Sequence, residues 1–347
     1  MREGVTIDGS RGEGGGQILR TSLALSVITK RPLRMTKIRA GRAKPGLRRQ
    51  HLACVEAAAQ LCGAQTTGAK LGSQELQFTP GEAFADALDI DIGSAGSTTL
   101  VVQTVLVPAL VAGKPLRIVV HGGTHNPLAP PFDFLDRVFV PHLRAMGGDV
   151  RLVLERHGFA SGRDIHDEPA QHRGQLAVHV APGELRPIVI VDAGEVTERH
   201  ATAILARLPT HVADRELARV RDRLGFAHHE CEVREVRDAG TGNVLMLEVA
   251  RGACRELVTA FGEKGLRAEL VADRACSELA AYLDANVPVG EHLADQLLLP
   301  LAVAGGGRMR CAPLSLHATT NIETIERFLD VTFRVEPADE RSVLVYL

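Results

Sequence analysis

Apolar and polar positions along the chain recur in the same order three times. Each copy begins with a Gly-rich or polar loop that leads into an apolar helix, and these helices carry Gln17, Gln103 and Gln296. A basic turn, an apolar strand, a second loop with its helix and a closing strand follow in each copy. Three such units predict an α/β protein of packed helices and mixed sheets, in which equivalent loops converge on one site.

The repeated pattern is interrupted between roughly Gly183 and Ala280. We interpret the interruption as a smaller α/β domain that occupies residues 184–280 and precedes the third copy. The large domain would then combine residues 1–183 with residues 281–347. No pattern in the insert points to catalysis, so we expect it to act as a spacer or scaffold.

Within the insert, the apolar spacing predicts helices over residues 195–208, 212–226 and 271–283. Two strand-like segments, residues 228–236 and 243–250, are separated by a short loop with two glycines. Segments of this kind predict a β-hairpin.

Charge is distributed unevenly along the chain. The net charge of −2 by itself predicts no polyanionic partner, but residues 14–55 contain no Asp or Glu and many Arg and Lys residues. A local positive field attracts phosphates even in a neutral protein. A solvated basic face is the alternative. We favour phosphate binding because the basic stretch follows a Gly-rich loop. Aromatic residues make up only 3% of the chain, which disfavours base recognition by rows of stacked rings.

No feature of the sequence indicates secretion or a membrane. The N-terminal residues lack the apolar core of a signal peptide, and the longest apolar run, Leu100–Ala112, contains Gln103 and Pro108. The six cysteines form no CxxC motif, which disfavours a zinc site and is typical of reduced thiols. We therefore expect a cytoplasmic protein. No segment demands a dimer, although a homodimer is compatible with the sequence.

The Gly-rich loop at residues 12–16 is the first candidate for chemistry. Glycines allow a ligand to approach the backbone closely, and the following helix offers free N–H groups to an anion. The loop is neither a Walker A motif nor GxGxxG. Glu13 would be unusual in simple anion binding, but it suits a divalent metal that bridges phosphates. The alternative is a tight turn with an acidic residue near a helix N-terminus.

Three later segments leave structural and functional interpretations open. Residues 93–99, before Gln103, suit a helix cap or a wall of a phosphate or sugar pocket. Asp295 and Gln296 suit a helix cap or contacts to a base and ribose. His317 ends an apolar strand in our interpretation, just before a helix capped by Thr319, Thr320 or Asn321. A lone histidine in such a place is more often structural than catalytic.

Six segments in their order along the chain resemble the RNA 3′-terminal phosphate cyclases. They are residues 12–20, 40–51, 93–104, 122–134, 291–300 and 315–322. The resemblance extends over the whole chain, including the insert. It implies a large domain of three repeats similar to the C-terminal domain of translation initiation factor 3. It also implies an insert of thioredoxin-like topology without redox chemistry.

The resemblance further implies a three-step reaction with ATP. A histidine attacks the α-phosphate and releases pyrophosphate, and the AMP then passes to an RNA 3′-phosphate. The neighbouring 2′-hydroxyl closes a 2′,3′-cyclic phosphate and releases AMP. The partners implied are ATP, an RNA with a 3′-phosphate end and a divalent metal, either Mg²⁺ or Mn²⁺. Neither the natural RNA nor its pathway follows from the sequence.

The resemblance places the nucleophile at His317 and the metal at Glu13. The implied nucleotide-binding residues are Glu13, Gln17, Arg20, Arg39, Arg42, His51, Gln103, Pro130, His292, Asp295 and Gln296. Many relatives carry Tyr at the position of His292, so we expect altered nucleotide affinity rather than lost activity. His292 is also the main rival of His317 for the covalent position.

Three other functions compete with this interpretation. A cyclase-like protein that has lost catalysis and acts in ribosomal RNA processing would lack the nucleophilic histidine, whereas this chain has His317, Glu13 and the Asp295–Gln296 pair. An enolpyruvyl transferase also has repeated α/β units and a basic phosphate site, but it needs no histidine nucleophile. An RNA-binding scaffold would not incorporate label from ATP.

Overall fold

Helices and strands alternate along the chain in a computed structural model that describes residues 3–159, 173–237 and 240–347. The helices are α1 (Gly16–Thr29), α2 (Arg49–Cys62), α3 (Thr98–Val111), α4 (Phe132–Phe134), α5 (Val140–Ala145), α6 (His211–Leu224), α7 (Ala268–Ala285), α8 (Glu291–Val303) and α9 (Leu316–Phe328). A π-helical turn, Leu135–Phe139, joins α4 to α5. The strands are β1 (Val5–Asp8), β2 (Leu33–Thr36), β3 (Gln65–Thr67), β4 (Leu76–Thr79), β5 (Ala87–Asp91), β6 (Leu116–Gly122), β7 (Asp149–Arg156), β8 (Gly174–Ala181), β9 (Val189–Ile190), β10 (Val196–Ala206), β11 (Cys231–Val236), β12 (Gly242–Arg251), β13 (Cys254–Phe261), β14 (Arg308–Cys311), β15 (Arg334–Pro337) and β16 (Val343–Tyr346). The predicted α/β class is confirmed.

Three of the sheets have the same strand order. The orders are β1-β2-β4-β3, β5-β6-β8-β7 and β9-β14-β16-β15. In each sheet the first two strands are parallel and the remaining pairs are antiparallel. The third sheet begins with β9, and the chain returns to it at β14 only after the segment that contains β10–β13. This topology places equivalent helices, α1, α3 and α8, at equivalent points of the three units.

The helices pack on one another between the sheets. Helix α1 contacts α2, α3 and α9, and α8 contacts α9. Helix α3 is buried along most of its length and carries no charged residue, which is typical of a helix surrounded by protein on all sides. This packing brings the N-terminal part of α9 beside that of α1, although the two helices come from opposite ends of the chain.

The fourth sheet has the order β11-β10-β12-β13, and α6 and α7 cover one of its faces. On that face, Ala203 and Leu205 pack with the helices in a separate apolar core. On the other face, Ile204 and Met246 join the larger apolar core of the protein. The central part of the sheet, residues 201–206 of β10 and most of β12, is therefore buried on both sides.

Two predictions for this region are wrong. The helix predicted over residues 195–208 is instead strand β10, whose residues 201–206 are all buried. A continuous apolar run that is buried on both faces lacks the alternation that identifies a strand. The predicted hairpin does not form, because β10 lies between β11 and β12 and pairs in parallel with β11. The predicted helices over residues 212–226 and 271–283 are confirmed as α6 and α7.

Within the described residues, no helix is both long enough and apolar enough to cross a membrane.

Candidate active site

The loop before α1 folds against the first turns of α9. The backbone N–H of Glu13 donates to the hydroxyl oxygen of Thr320 over 3.0 Å. Gly12 has a φ of 56°, and a Cβ atom there would lie 2.2 Å from the same hydroxyl oxygen. Glycine is thus required at this position by both conformation and space. The contact fixes the position of Glu13 relative to α9.

Glu13 has one engaged and one unsatisfied carboxylate oxygen. Its Oε1 atom forms an ion pair with Arg42, and an Nη atom of Arg42 also donates to the backbone oxygen of Glu13 over 3.2 Å. Its Oε2 atom is buried and has no hydrogen-bond partner. Buried polar atoms are rarely left without a partner. The Oε2 atom of Glu13 is therefore the atom of this loop most suited to a ligand.

His317 lies in the first turn of α9, which Ser315 caps by accepting a hydrogen bond from the N–H of Ala318 over 3.3 Å. The position corrects two expectations, because His317 is helical rather than at the end of a strand, and Ser315 is the cap. Strand β14 already ends at Cys311, two residues before Pro313. A helix N-terminus favours negative charge nearby, such as a phosphate.

The imidazole of His317 has distinct partners at its two nitrogens. The Nδ1 atom lies 2.7 Å from Gln17 Oε1, and the Nε2 atom lies 4.0 Å from Glu13 Oε1. Partial burial lowers the pKa of His317, with contributions from Arg20 and Arg42, whereas Asp295 opposes the shift. The neutral ring is a competent nucleophile, and its side chain is 55% exposed. Nε2 is thus the accessible nitrogen.

Helices α1, α3 and α8 bring the three repeated glutamines together. Gln17 Nε2 donates to Asp295 Oδ1, and Gln103 Nε2 donates to Gln296 Oε1 over 2.6 Å. Asn321 Nδ2 donates to Asp295 Oδ1 over 3.0 Å. These side chains form a polar cluster, which contacts His317 through Gln17.

A cavity of about 70 Å³ opens beside this cluster. Its polar side is formed by Gln17, Arg20, Thr21, Gln103, Asp295, Gln296 and Asn321, and its apolar side by Ala24, Val107, Phe139, Leu299 and Pro300. Small-molecule sites typically combine an apolar wall with a few convergent polar groups. The cavity has this character.

A larger cavity, of about 310 Å³, lies between the π-helical turn and the fourth sheet. Its lining consists of charged or polar side chains that pair with each other, as Arg137 and Arg255 both do with Glu248. Since those charges are already neutralised within the described part of the chain, the smaller cavity beside His317 is the better candidate for ligand binding.

Arg20 and His51 supply donors next to the start of α1. No carboxylate among the described residues lies within ion-pair distance of Arg20, whose Nη1 atom lies close to Gly16. The Nδ1 atom of His51 accepts a hydrogen bond from the N–H of Arg48 over 3.1 Å, and its Nε2 atom also lies against Gly16. Burial, reinforced by Arg39 and other nearby cations, lowers the pKa of His51 to about 3. The neutral ring therefore presents an N–H group to the loop.

Arg39 and Pro130 lie outside this inner cluster. The guanidinium of Arg39 donates to the backbone oxygens of Lys44 and Gly46 over 2.8 and 2.9 Å, which braces the basic loop. The backbone oxygen of Pro130 accepts from Thr99 Oγ1 over 2.7 Å, which ties its loop to the start of α3. The phosphate and adenine contacts expected of these two residues stay predictions.

His292 occupies the first turn of α8. Its Nε2 atom lies 3.7 Å from Glu278 Oε1, and its side chain is 67% exposed. No described hydrogen bond holds either ring nitrogen in one orientation. His317, by contrast, is oriented by Gln17, so the geometry favours His317 over its rival.

Three residues of the site were not assigned to it from the sequence. Thr320 positions Glu13, whereas Asn321 and Thr21 join the polar cluster, where Thr21 Oγ1 donates to Asn321 Oδ1 over 2.8 Å. The spacing of four residues between His317 and Asn321 places both on one helix face, and this spacing could have identified Asn321. No comparable signal marks Thr21, which is one polar residue in an apolar helix.

Together these residues form an α/β enzyme site that combines the nucleophilic candidate His317 with cationic and N–H donors and with the carboxylates of Glu13 and Asp295. A family model described as RNA 3′-terminal phosphate cyclase matches residues 11–335. The chain belongs to this family.

Curated relatives with the name RNA 3′-terminal phosphate cyclase match nearly the whole chain. The protein of Pseudomonas fluorescens is 47% identical over 342 residues, which cover 98% of this chain and 97% of the relative. The protein of Koribacter versatilis is 46% identical over 335 residues, covering 95% and 91%. The protein of Salmonella agona is 46% identical over 336 residues, covering 97% and 95%.

Proposed function

We propose that this protein uses ATP to convert an RNA 3′-phosphate into a 2′,3′-cyclic phosphodiester, through an AMP intermediate on His317. The observation that carries the proposal is the imidazole of His317, whose Nδ1 atom is held by Gln17 while Nε2 stays accessible beside Glu13. Family membership supplies the substrates, because the relatives are RNA 3′-terminal phosphate cyclases.

In the first step, Nε2 of His317 attacks the α-phosphorus of ATP. A nitrogen–phosphorus bond forms, and the bond to the pyrophosphate oxygen breaks. Arg20 and Arg42 contribute positive charge next to the phosphates, and the neutral His51 donates its Nε2–H. Donors fixed before the reaction stabilise the charge that develops on phosphate oxygens.

Glu13 fits a divalent cation. Its Oε2 atom is buried without a partner, and no described cluster of three or more metal-ligating side chains could hold an ion alone. Mg²⁺ commonly binds one or two carboxylates together with substrate phosphates. We propose that Glu13 and ATP together hold Mg²⁺ or Mn²⁺. The ion would neutralise part of the triphosphate charge.

In the second step, an oxygen of the RNA 3′-phosphate attacks the adenylate phosphorus, and the bond to His317 breaks. In the third, the RNA 2′-hydroxyl attacks the 3′-phosphorus, loses its proton and expels AMP. Because this hydroxyl is already adjacent to the phosphorus, alignment supplies much of the acceleration. We propose Asp295, Gln296, His292 and Pro130 for adenosine, and Gln103 near the phosphates.

We also propose a thioredoxin-like insert in a large domain similar to that of translation initiation factor 3. The shared strand order of three sheets and the separate apolar core of the fourth support an insert. Because β9 (Val189–Ile190) belongs to the third sheet and α7 extends to Ala285, we place the insert at residues 191–285 rather than at the predicted 184–280. We further propose a cytoplasmic location and a homodimer.

The function is tested with an RNA oligonucleotide that carries a labelled 3′-phosphate. After the oligonucleotide has been incubated with the protein, ATP and Mg²⁺, its label should resist removal by phosphatase. A matched oligonucleotide with a 2′-deoxy terminal nucleotide should accumulate the 3′-adenylate without cyclising, because it lacks the attacking hydroxyl. Label that stays phosphatase-sensitive with active, folded protein would contradict the proposal.

A further inference from the structure

A continuous hydrogen-bonded chain leads from His317 into the protein. His317 Nδ1 meets Gln17 Oε1 over 2.7 Å, and Gln17 Nε2 meets Asp295 Oδ1. Asn321 Nδ2 donates to the same Oδ1 and to the backbone oxygen of Asp295, each over 3.0 Å. Thr21 Oγ1 donates to Asn321 Oδ1 over 2.8 Å. These hydrogen bonds join α1, α8 and α9.

The hydrogen bonds have one consistent direction. Two amide N–H groups converge on Asp295 Oδ1, which accepts both. The side-chain amide of Gln17 carries its donors at one end and its acceptor at the other. Since the donor end of Gln17 faces Asp295, the acceptor end faces His317. His317 must then carry its proton on Nδ1.

The proton on Nδ1 leaves the lone pair on Nε2, the nitrogen that faces Glu13. A neutral imidazole without such a partner distributes its proton between both nitrogens, and a protonated Nε2 cannot attack phosphorus. We propose that Gln17 is a positioning residue that holds His317 in the Nδ1–H tautomer, with Asp295 and Asn321 as its anchor. The kinetic consequence rests on the function proposed above, whereas the tautomer does not.

His51 provides an internal contrast. Its Nδ1 atom accepts a hydrogen bond from the backbone N–H of Arg48 over 3.1 Å, so the proton of the neutral ring lies on Nε2. The two histidines of the site thus have opposite tautomers. His51 presents a donor to phosphate, and His317 presents a lone pair.

Substitution at position 295 can reverse the direction of its hydrogen bond to Gln17, at the cost of the hydrogen bond from Asn321 to the same side-chain atom. In the variant Asp295→Asn, the new amide can donate to Gln17 Oε1, and Gln17 can then rotate and donate to His317 Nδ1. We expect this single variant to shift His317 toward the Nε2–H tautomer. In the double variant Gln17→Glu with Asp295→Asn, the carboxylate introduced at position 17 is acceptor-only and again receives the proton of Nδ1. The amide introduced at position 295 would donate to that carboxylate, and Asn321 Nδ2 would keep its hydrogen bond to the backbone oxygen of residue 295.

The primary measurement is the ¹⁵N chemical shift of both ring nitrogens of His317 in ATP-free protein, assigned by comparison with His317→Gln. The wild type and the double variant should show Nδ1–H, whereas Asp295→Asn and Gln17→Leu should show increased Nε2–H. Gln60→Leu, on the exposed face of α2, is the matched control. A wild type with Nε2–H, or a Gln17→Leu variant with an unchanged tautomer, would overturn the proposal.

Rates supply the second readout. At saturating ATP, adenylylation should slow on the order of 10²-fold in Gln17→Leu and recover in the double variant relative to Asp295→Asn. A residue that only shapes the pocket would change KM for ATP and leave the saturated rate intact. If the wild type forms no adenylate, the proposed function fails, while the NMR result still decides the tautomer. The NMR spectrum of each variant shows whether it folds. If one variant does not fold, the tautomers of the wild type and of the remaining folded variant test the proposal.

Discussion

Glu13 Oε1 lies 4.0 Å from His317 Nε2, although the two residues come from opposite ends of the chain. This separation exceeds that of a hydrogen bond, so Glu13 does not accept a proton from Nε2 and does not favour the Nε2–H tautomer. The carboxylate is nevertheless close enough to hold a cation against the phosphates of a nucleotide that His317 attacks. We therefore assign nucleophilic attack to His317 and charge neutralisation to Glu13.

Replacing Glu13 tests its role in neutralising the charge of the phosphates. We expect Glu13→Gln to slow adenylylation on the order of 10²-fold at a fixed concentration of Mg²⁺, because an amide binds the cation weakly. Raising the metal concentration should recover part of the loss. Glu75→Gln, at an exposed position, is the control. Full activity of Glu13→Gln with an unchanged metal dependence would remove Glu13 from the metal site.

Gly15 tests whether the Glu13 carboxylate must lie where it does. A Cβ atom on residue 15 would lie 2.2 Å from Glu13 Oε2, so Gly15→Ala displaces the carboxylate. We expect a marked loss of adenylylation with a melting temperature close to that of the wild type, since the displaced group is a mobile side chain. Gly306→Ala, where the new methyl meets nothing closer than 3.5 Å, should be neutral. Equal activity of both variants would contradict the account.

His292 should tune nucleotide affinity. We expect His292→Tyr to lower KM for ATP roughly 2- to 10-fold with little change in kcat, because a larger ring gains stacking energy against adenine. Steady-state kinetics over a range of ATP concentrations measure both constants. A loss of kcat comparable to that of a His317 variant would instead place His292 in the chemistry.

Glu256 should make stability depend on pH. Burial, reinforced by the charge of Glu278 and opposed by hydrogen bonds from the backbone of Leu257 and Gly290, raises the pKa of Glu256 to about 7. The unfolded chain has a pKa of about 4.3. Between about pH 4.3 and pH 7, Glu256 is protonated in the folded protein and ionised in the unfolded chain, so unfolding releases a proton. The stability that the protonated group contributes is therefore lost as pH rises through about 7.

The corresponding variant is Glu256→Gln, which cannot ionise. Relative to the wild type, its free energy of unfolding should increase between pH 5 and pH 8 by up to about 3 kcal/mol. Urea denaturation at both pH values measures the difference, with Glu75→Gln as the exposed control. A difference between variant and wild type that does not change with pH would contradict the buried, protonated state.

The sequence predicts the repeated units well because each contains local signals, such as apolar periodicity and loops rich in glycine. It fails at β10, where a run of Ala, Ile and Leu is buried on both faces and has no distinguishing period. It fails at the hairpin because β10 enters the sheet between two segments that are neighbours in sequence. Pairing of this kind is set by packing across the whole insert.

The arrangement of side chains in the site also could not be predicted from local sequence patterns. Motifs in the sequence mark Glu13, Gln17 and His317, but their mutual arrangement depends on the packing of α1 against α9. The hydrogen bonds that Gln17 and Asn321 donate to Asp295 join three helices that no local pattern connects. The tautomer of His317 follows from those bonds and could not be predicted from the motifs alone.

The most direct test of the account is covalent labelling with α-labelled ATP and a divalent metal, in the absence of RNA. The wild type and His292→Ala should acquire acid-labile, alkali-stable label, whereas His317→Ala should acquire none. Peptide mapping of the labelled wild type should locate AMP on the peptide that contains His317. Absence of label on folded wild-type protein, or equal labelling of His317→Ala, would contradict the histidine–AMP intermediate.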